Sequence, residues 1–195
     1  MFTGIIESLA IVENIFIKNG KSSLTVRVEE KFADVKIGDS ISVNGVCLTV
    51  IEVAATNLFT FEYSKETAQK TKLSNCKKGE VVNIERAMAA NGRYGGHFVL
   101  GHVDVVGKVL KSIKKSDYTE ISVCFSKEFE KYTVEKGSIA IDGISLTIAS
   151  LKGNIFTVAV IGHTLKNTNI GQWVSGFLVN LEFDIIGKYV YKQKF

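Results

Sequence analysis

Short runs of alternating apolar and polar residues recur along this chain, separated by turn-forming residues. In the first half they read SLTVRV, SISVNG, VCLTVIEV, LFTFEY and EVVNIE; in the second, EISVCF, SIAIDG, SLTIASL, IFTVAV and FLVNLEFD. Alternation with period two turns one face of each run inward and the other outward, as in half-buried strands. Asn44-Gly45 and Asp142-Gly143 are hairpin signals, because both residues tolerate the left-handed backbone of a tight turn. EEKFADV, SKEFEKYTV, SKETAQKT and GHTLKNTN read as briefly helical. About six strands and one or two short helices in each half predict a small closed antiparallel barrel, since closure removes exposed strand edges.

The two halves resemble each other. Residues 40–53, SISVNGVCLTVIEV, match residues 138–151, SIAIDGISLTIASL. Asn44-Gly45 aligns with Asp142-Gly143, Cys47 with Ser145, and Thr49 with Thr147. Val82-Asn83-Ile84-Glu85 aligns with Val179-Asn180-Leu181-Glu182, Thr67 and Thr71 with Thr164 and Thr168, and Gly4 with Gly101. The register holds across a whole half, so two homologous domains are expected, residues 1–96 and 97–195. The fold class is all-β: two similar six-stranded antiparallel barrels arising by internal duplication.

Composition narrows the function. The 195 residues carry a net charge of +4 with Lys and Arg scattered, which gives no footprint for nucleic acid. Cys47, Cys76 and Cys124 are odd in number and lack close pairing, which argues against a disulfide framework or a zinc site. The start, MFTGIIESLAIVENI, reads neither as a signal peptide nor as a membrane span, so a cytoplasmic protein is expected. No GxGxxG or GxxxxGK[ST] phosphate loop occurs. The Arg-x-Tyr-Ser pattern of flavin-reductase barrels fails because Phe61 stands where arginine is needed before Tyr63-Ser64.

Strand alternation selects the candidate chemistry. Cys47 and Thr49 share one face, opposite Val46, Leu48 and Val50; Ser145 and Thr147 share one, opposite Leu146 and Ile148. The apolar set belongs to a core and the polar set to a pocket or outer wall, the plain alternative being ordinary half-buried strands. In GGHFVLGHVD, His97 and His102 are an odd number apart and would face opposite ways on a regular strand, which argues against a metal pair. Glu182 and Asp184 fall on one strand face, either as an acid/base pair or as a solvated barrel rim. Lys136 reads as a surface lysine or as an anchor for a polar ligand.

The motifs MFTGIIE, VNGVCLTV, SKET, VNIERAM, GGHFVLGHVD, KGSIAIDGISLT and VNLEFDIIGKY, in this order and over nearly the whole chain, resemble the riboflavin synthase family. The resemblance implies two Greek-key barrels and a short C-terminal helix. It implies dismutation of two molecules of 6,7-dimethyl-8-ribityllumazine, by transfer of a four-carbon unit, to riboflavin and 5-amino-6-(ribitylamino)uracil, without an external cofactor or metal. It implies a homotrimer in which the first barrel of one subunit faces the second of its neighbour, so that two ligands stack. Lumazine synthase is a further implied partner; nucleic acid and membrane are not.

Residue by residue, the resemblance places Gly4, Ile5 and Ile6 in the second barrel's pocket with Ser145, Leu146, Thr147 and the run Ala159, Val160, Ile161, Gly162, His163, Thr164. The other pocket takes Cys47, Leu48, Thr49, the run Glu62, Tyr63, Ser64, Lys65, Glu66, Thr67, and Gly101, His102, Val103, with Lys136 arriving from the partner subunit. Cys47, His102, Ser145, Thr147 and Asp184 are the implied catalytic residues: Ser145 and Asp184 for nucleophile activation or charge stabilisation, His102 and Cys47 for proton transfer. The family includes non-catalytic lumazine proteins; the presence of all five residues argues for the enzyme. Two departures stand out. Gly162 replaces a frequent proline, which loosens the second pocket. The chain ends with IIGKYVYKQKF soon after Asp184, where family members often carry a longer helix that bundles subunits, so a weaker trimer is expected.

Overall fold

The computed structural model describes residues 1–18, 21–28, 32–54 and 57–193. The first half holds strands β1 (Ser8–Lys18), β2 (Lys21–Val28), β3 (Ser40–Val43), β4 (Val46–Ala54), β5 (Leu58–Tyr63) and β6 (Val81–Arg86), with helix α1 (Lys65–Lys70). The second holds β7 (Val105–Lys114), β8 (Tyr118–Cys124), β9 (Ser138–Ile141), β10 (Ile144–Lys152), β11 (Ile155–Ile161) and β12 (Leu178–Phe183), with helices α2 (Gly162–Asn167) and α3 (Ile185–Lys192). Each set closes into an antiparallel barrel of the same order, β1-β2-β5-β4-β3-β6 and β7-β8-β11-β10-β9-β12. The expected hairpins form at Asn44-Gly45 and Asp142-Gly143, where all four residues have positive φ, between 45° and 82°.

Two strands absent from the alternation pattern, β1 and β7, complete the barrels. Both carry a bulge against their hairpin partner, between Val12 and Asn14 and between Val109 and Lys111. An extra residue reverses the in-out parity and bends the strand around the barrel corner. The same device recurs at Val50/Glu52 in β4 and Ile148/Ser150 in β10. One helical expectation fails: of EEKFADV, residues 32–35 form an irregular turn and residues 29–31 lie outside the described residues. SKEFEKYTV yields only a 3-10 helix, Lys127–Tyr132.

The barrel interiors are filled. Leu24, Ile41, Val50, Phe59, Phe61 and Ile84 pack the first, and Ile121, Ile139, Ile148, Phe156, Val158 and Leu181 the second, each at most 1% exposed. Burying side chains of this size contributes about 1.5–3 kcal/mol apiece. Among the described residues the barrel interiors are thus occupied by side chains, which leaves the outer walls as the place to look for a site.

The helices after β5 and β11 start differently. Ser64 caps α1, its hydroxyl accepting from Thr67 N at 3.0 Å. Helix α2 has no side-chain cap, and Gly162 is its first residue. Ile161 before it has φ −79° and ψ 161°, the extended conformation that precedes proline, and a Cβ at 162 meets nothing within 4 Å. Gly162→Pro is expected to stabilise the protein by about 0.4–1 kcal/mol by restricting the unfolded chain. Urea unfolding checks this: a higher midpoint at unchanged slope is expected, and a lower midpoint would show that the Gly162 N–H is needed.

Candidate functional sites on the barrel walls

Each outer wall is completed by a segment from the other half. The N-terminal segment leaves the first barrel and runs along β10, with Ser145 N donating to Gly4 O at 2.8 Å. The segment before β7 runs along β4, with Cys47 N donating to Gly101 O at 2.9 Å. Both contacts depend on glycine: φ is +78° at Gly4 and +79° at Gly101, and a Cβ there would lie 2.6 Å from Ser145 Cβ and 2.5 Å from Cys47 Cβ. The two segments also pair with each other through Phe2 and Val99.

A buried glutamate holds each segment in place. Glu85 accepts from Thr3 N at 2.7 Å, Thr3 Oγ1 at 2.9 Å and Gly4 N at 3.0 Å. Glu182 accepts from Leu100 N at 2.7 Å, Gly101 N at 2.9 Å and His102 N at 3.1 Å. Burial pushes both carboxyls up from the ordinary glutamate value, and the N–H bonds pull the other way. This corrects the pairing of Glu182 with Asp184. Glu182 is neither a solvated rim residue nor half of a carboxylate dyad. Asp184 lies beyond the end of β12, where its Oδ1 accepts from Ile186 N at 3.0 Å and caps α3.

On the second wall, Ser145 is half-buried and its Oγ lies 2.7 Å from His97 Nδ1. Burial lowers the His97 pKa, while the charge of Asp184 opposes the shift. His97 Nε2 is buried without a partner among the described residues. A neutral imidazole with its proton on Nε2 can take the Ser145 hydroxyl proton on Nδ1. Strand parity gives no guide to His97, because residues 97–103 form no regular strand and Gly101 turns the chain.

The first wall is built alike but equipped differently. Cys47 stands where the second wall has Ser145, and its side chain packs on Phe2, Val99 and Ala140. His102, Thr49 and Glu62 are exposed, and Thr49 pairs with Glu62 across β4 and β5. Ser64 is the cap of α1 and Lys65, Glu66 and Thr67 are its first residues, with Glu66 paired to Lys70 at 2.8 Å. On the second wall Thr147, Ala159, Ile161, Gly162 and His163 are exposed and Leu146 and Thr164 half-buried. Ile5 is exposed beside Ser145's neighbour Gly4, and Ile6 and Val103 pack against the second and first cores in turn.

Leu48, Tyr63 and Val160 are at most 6% exposed and point their side chains inward, because alternation places them in the cores, so they offer the wall their backbone only. Lys136 projects from the second barrel, its Nζ donating to Ala149 O at 3.0 Å. Its φ is +67°, at the place where the first barrel has Gly38 with φ +96°.

Comparison with known proteins agrees with this architecture. A family model described as a lumazine binding domain matches residues 3–87 and again 100–184, which makes the protein a tandem of lumazine-binding barrels. The riboflavin synthase of Actinobacillus pleuropneumoniae is 44% identical over 190 residues, covering 97% of this chain and 88% of the relative. That of Bacillus subtilis (strain 168) is 43% identical over 192 residues, covering 98% and 89%. That of Mycobacterium tuberculosis (strain ATCC 25618 / H37Rv) is 39% identical, covering 97% and 96%. The chain belongs to the riboflavin synthase family. In fold it also matches LumP complexed with 6,7-dimethyl-8-(1'-D-ribityl) lumazine, with a TM-score of 0.85 at 21% identity over 94% of this chain and 99% of that one. No helix among the described residues is long and apolar enough to cross a membrane.

Proposed function

We propose that the protein is a riboflavin synthase, dismutating two molecules of 6,7-dimethyl-8-ribityllumazine to riboflavin and 5-amino-6-(ribitylamino)uracil. The observation that carries the reading is the pair of like-built, unlike-equipped walls. One presents the Ser145 hydroxyl against a neutral imidazole 2.7 Å away, and the other presents Cys47 and an exposed His102. Two identical molecules that must play different parts need such a pair.

Ser145, with His97 as its base and the charge of Asp184 felt at the imidazole, adds to C7 of one lumazine or delivers a water to it; the hydroxyl proton passes to His97 Nδ1 and the displaced electron pair into the conjugated ring. Thr147, exposed on the same strand, binds the ring edge. His102 and Cys47 serve the other lumazine, whose C7 methyl must lose a proton. No external cofactor is required, because the heterocycle itself delocalises the carbanion. The walls that cooperate belong to neighbouring subunits of a homotrimer, and Lys136 reaches the first wall from the neighbour. A lysine kept in the left-handed conformation, where the sister barrel has glycine, fits a positional role for that side chain. The residue-1–96 and residue-97–195 halves are then two binding domains of a cytoplasmic enzyme that takes its substrate from lumazine synthase.

The test is to incubate the purified protein with the lumazine alone. Riboflavin absorbance should appear as lumazine is consumed. A bound, fluorescent and unconverted lumazine would instead identify a carrier of the lumazine-protein type.

A further inference from the structure

Where the barrels meet, the turns Asn44-Gly45 and Asp142-Gly143 cross so closely that a Cβ on Gly45 would lie 2.6 Å from Gly143 N. The polar contacts around the crossing come in twofold-related copies. Asn83 N donates to Asn44 Oδ1 at 2.8 Å, and Asn180 N to Asp142 Oδ1 at 2.7 Å. Asn83 Nδ2 reaches across to Asp142 O at 2.9 Å, and Asn180 Nδ2 to Asn44 O at 2.8 Å. Lys72 N donates to Asn180 Oδ1 and Asn169 N to Asn83 Oδ1, both at 2.8 Å. The charge differs at one place. In one copy Lys72 Nζ donates to Asp142 Oδ2 at 3.0 Å; in the other, Asn169 Nδ2 donates to Asn44 Oδ1 at 3.0 Å. The Lys72 and Asp142 side chains are 5% and 0% exposed.

We propose that this ion pair makes the barrel-to-barrel surface heterotypic: the first barrel's face accepts the second barrel and rejects a copy of itself. The duplicated hydrogen bonds suit any of the three pairings. First on first would set the Lys72 ammonium against the Asn44 amide, twice. Second on second would set the Asp142 carboxylate against the Asn169 amide, twice. A buried charge left without its counter-ion is strongly disfavoured, so only first on second gives Asp142 a cation and leaves Lys72 with the closer and more buried of its two carboxylates. Other groups at the contact do not change this order. Glu80, from the first barrel itself, lies 3.5 Å from Lys72 Nζ and stays with it in any pairing, but it is farther than Asp142 and a quarter exposed, so it offsets the loss of Asp142 only in part. Its sister position is Phe177, whose ring sits 4.6 Å from Lys72 Nζ and offers Asp142 no cation.

Asn44 supports the reading independently. Its Oδ1 accepts both bonds that the site offers, while its Nδ2 is buried with no partner among the described residues. Aspartate would accept the same bonds without stranding an N–H. What asparagine supplies here is the absence of charge, and an acid at 44 would complete the ion pair of a first-on-first contact.

The test rearranges the charges in the full chain. The Asn44→Asp/Asp142→Asn variant keeps the wild-type composition but puts both charges on the first barrel. It is expected to pair like with like between chains and to show twice the wild-type mass by light scattering. Adding Lys72→Asn and Asn169→Lys moves the ion pair to the twofold-related place, and should restore the wild-type mass and unfolding midpoint. A double variant with wild-type mass and midpoint overturns the proposal. If the double variant does not fold, the four-residue variant decides: recovery supports the proposal, and failure to recover overturns it.

Discussion

Ser145→Ala is expected to lower kcat by about 10²- to 10³-fold while the affinity for the lumazine changes little, the loss typical of removing a positioned proton-transfer or nucleophilic group. The hydroxyl is half-buried at the surface of the wall, so its removal leaves the core intact. Its partner His97 should lose as much when changed to glutamine, and the double variant should be no worse than either single one, because the two act as a unit. Rapid-mixing kinetics and a binding titration separate the two effects. Additive losses, or a loss confined to affinity, would contradict the assignment. The acid limb of kcat/KM should belong to His97. Burial holds its pKa below the ordinary 6.5, so the imidazole is neutral and able to take a proton at neutral pH. The rate should be level above 6.5 and fall only as pH drops through the depressed value. Stability follows the same sign: the unfolded chain binds the proton first, so stability is full above 6.5 and is lost as pH falls towards the folded value.

Glu182→Ala has the second large effect, on stability and on one wall only. It leaves the N–H groups of Leu100, Gly101 and His102 without their acceptor. Partial access to water softens the loss, which should come to about 3 kcal/mol, or a midpoint lower by roughly 10 °C for a chain of this size. The segment it releases carries His102 and backs Cys47, so lumazine binding to the first wall should weaken at least tenfold. Glu85→Ala should do the same to the second wall through Thr3 and Gly4. Calorimetry and titration against a non-reacting lumazine analogue check both. Equal damage to both walls from either variant would show that the glutamates serve general stability and hold no particular segment.

Much of this was legible because the chain is written twice. Hairpins at Asn44-Gly45 and Asp142-Gly143, the barrel class and the outward set Cys47, Thr49, Ser145 and Thr147 follow from alternation and turn chemistry. Alternation also predicts where it fails. The bulges in β1 and β7 reverse parity, and Lys108, Lys111 and Lys114 cover β7 with charge, so neither strand announced itself. The clamps were visible in another way: an acid recurs as Glu85 and Glu182 after matching apolar strands, yet a carboxylate there reads as solvated until its N–H donors, 80 to 82 residues away in sequence, are in view. Strand parity does not apply to His97, which lies in a stretch that is not a strand. Its role depends on a contact with Ser145, 48 residues on, which no local pattern encodes.

The proposed division of labour between unlike walls of neighbouring chains can be measured by mixing two inactive proteins. Thr49→Trp fills the exposed first wall and spares the second; Ser145→Ala disarms the second and spares the first. Co-expressed, the two chains should regain about a quarter of the wild-type rate, because random assembly around a ring places an intact first wall against an intact second wall once in four. Mixed particles with no more activity than the separate variants would contradict the account.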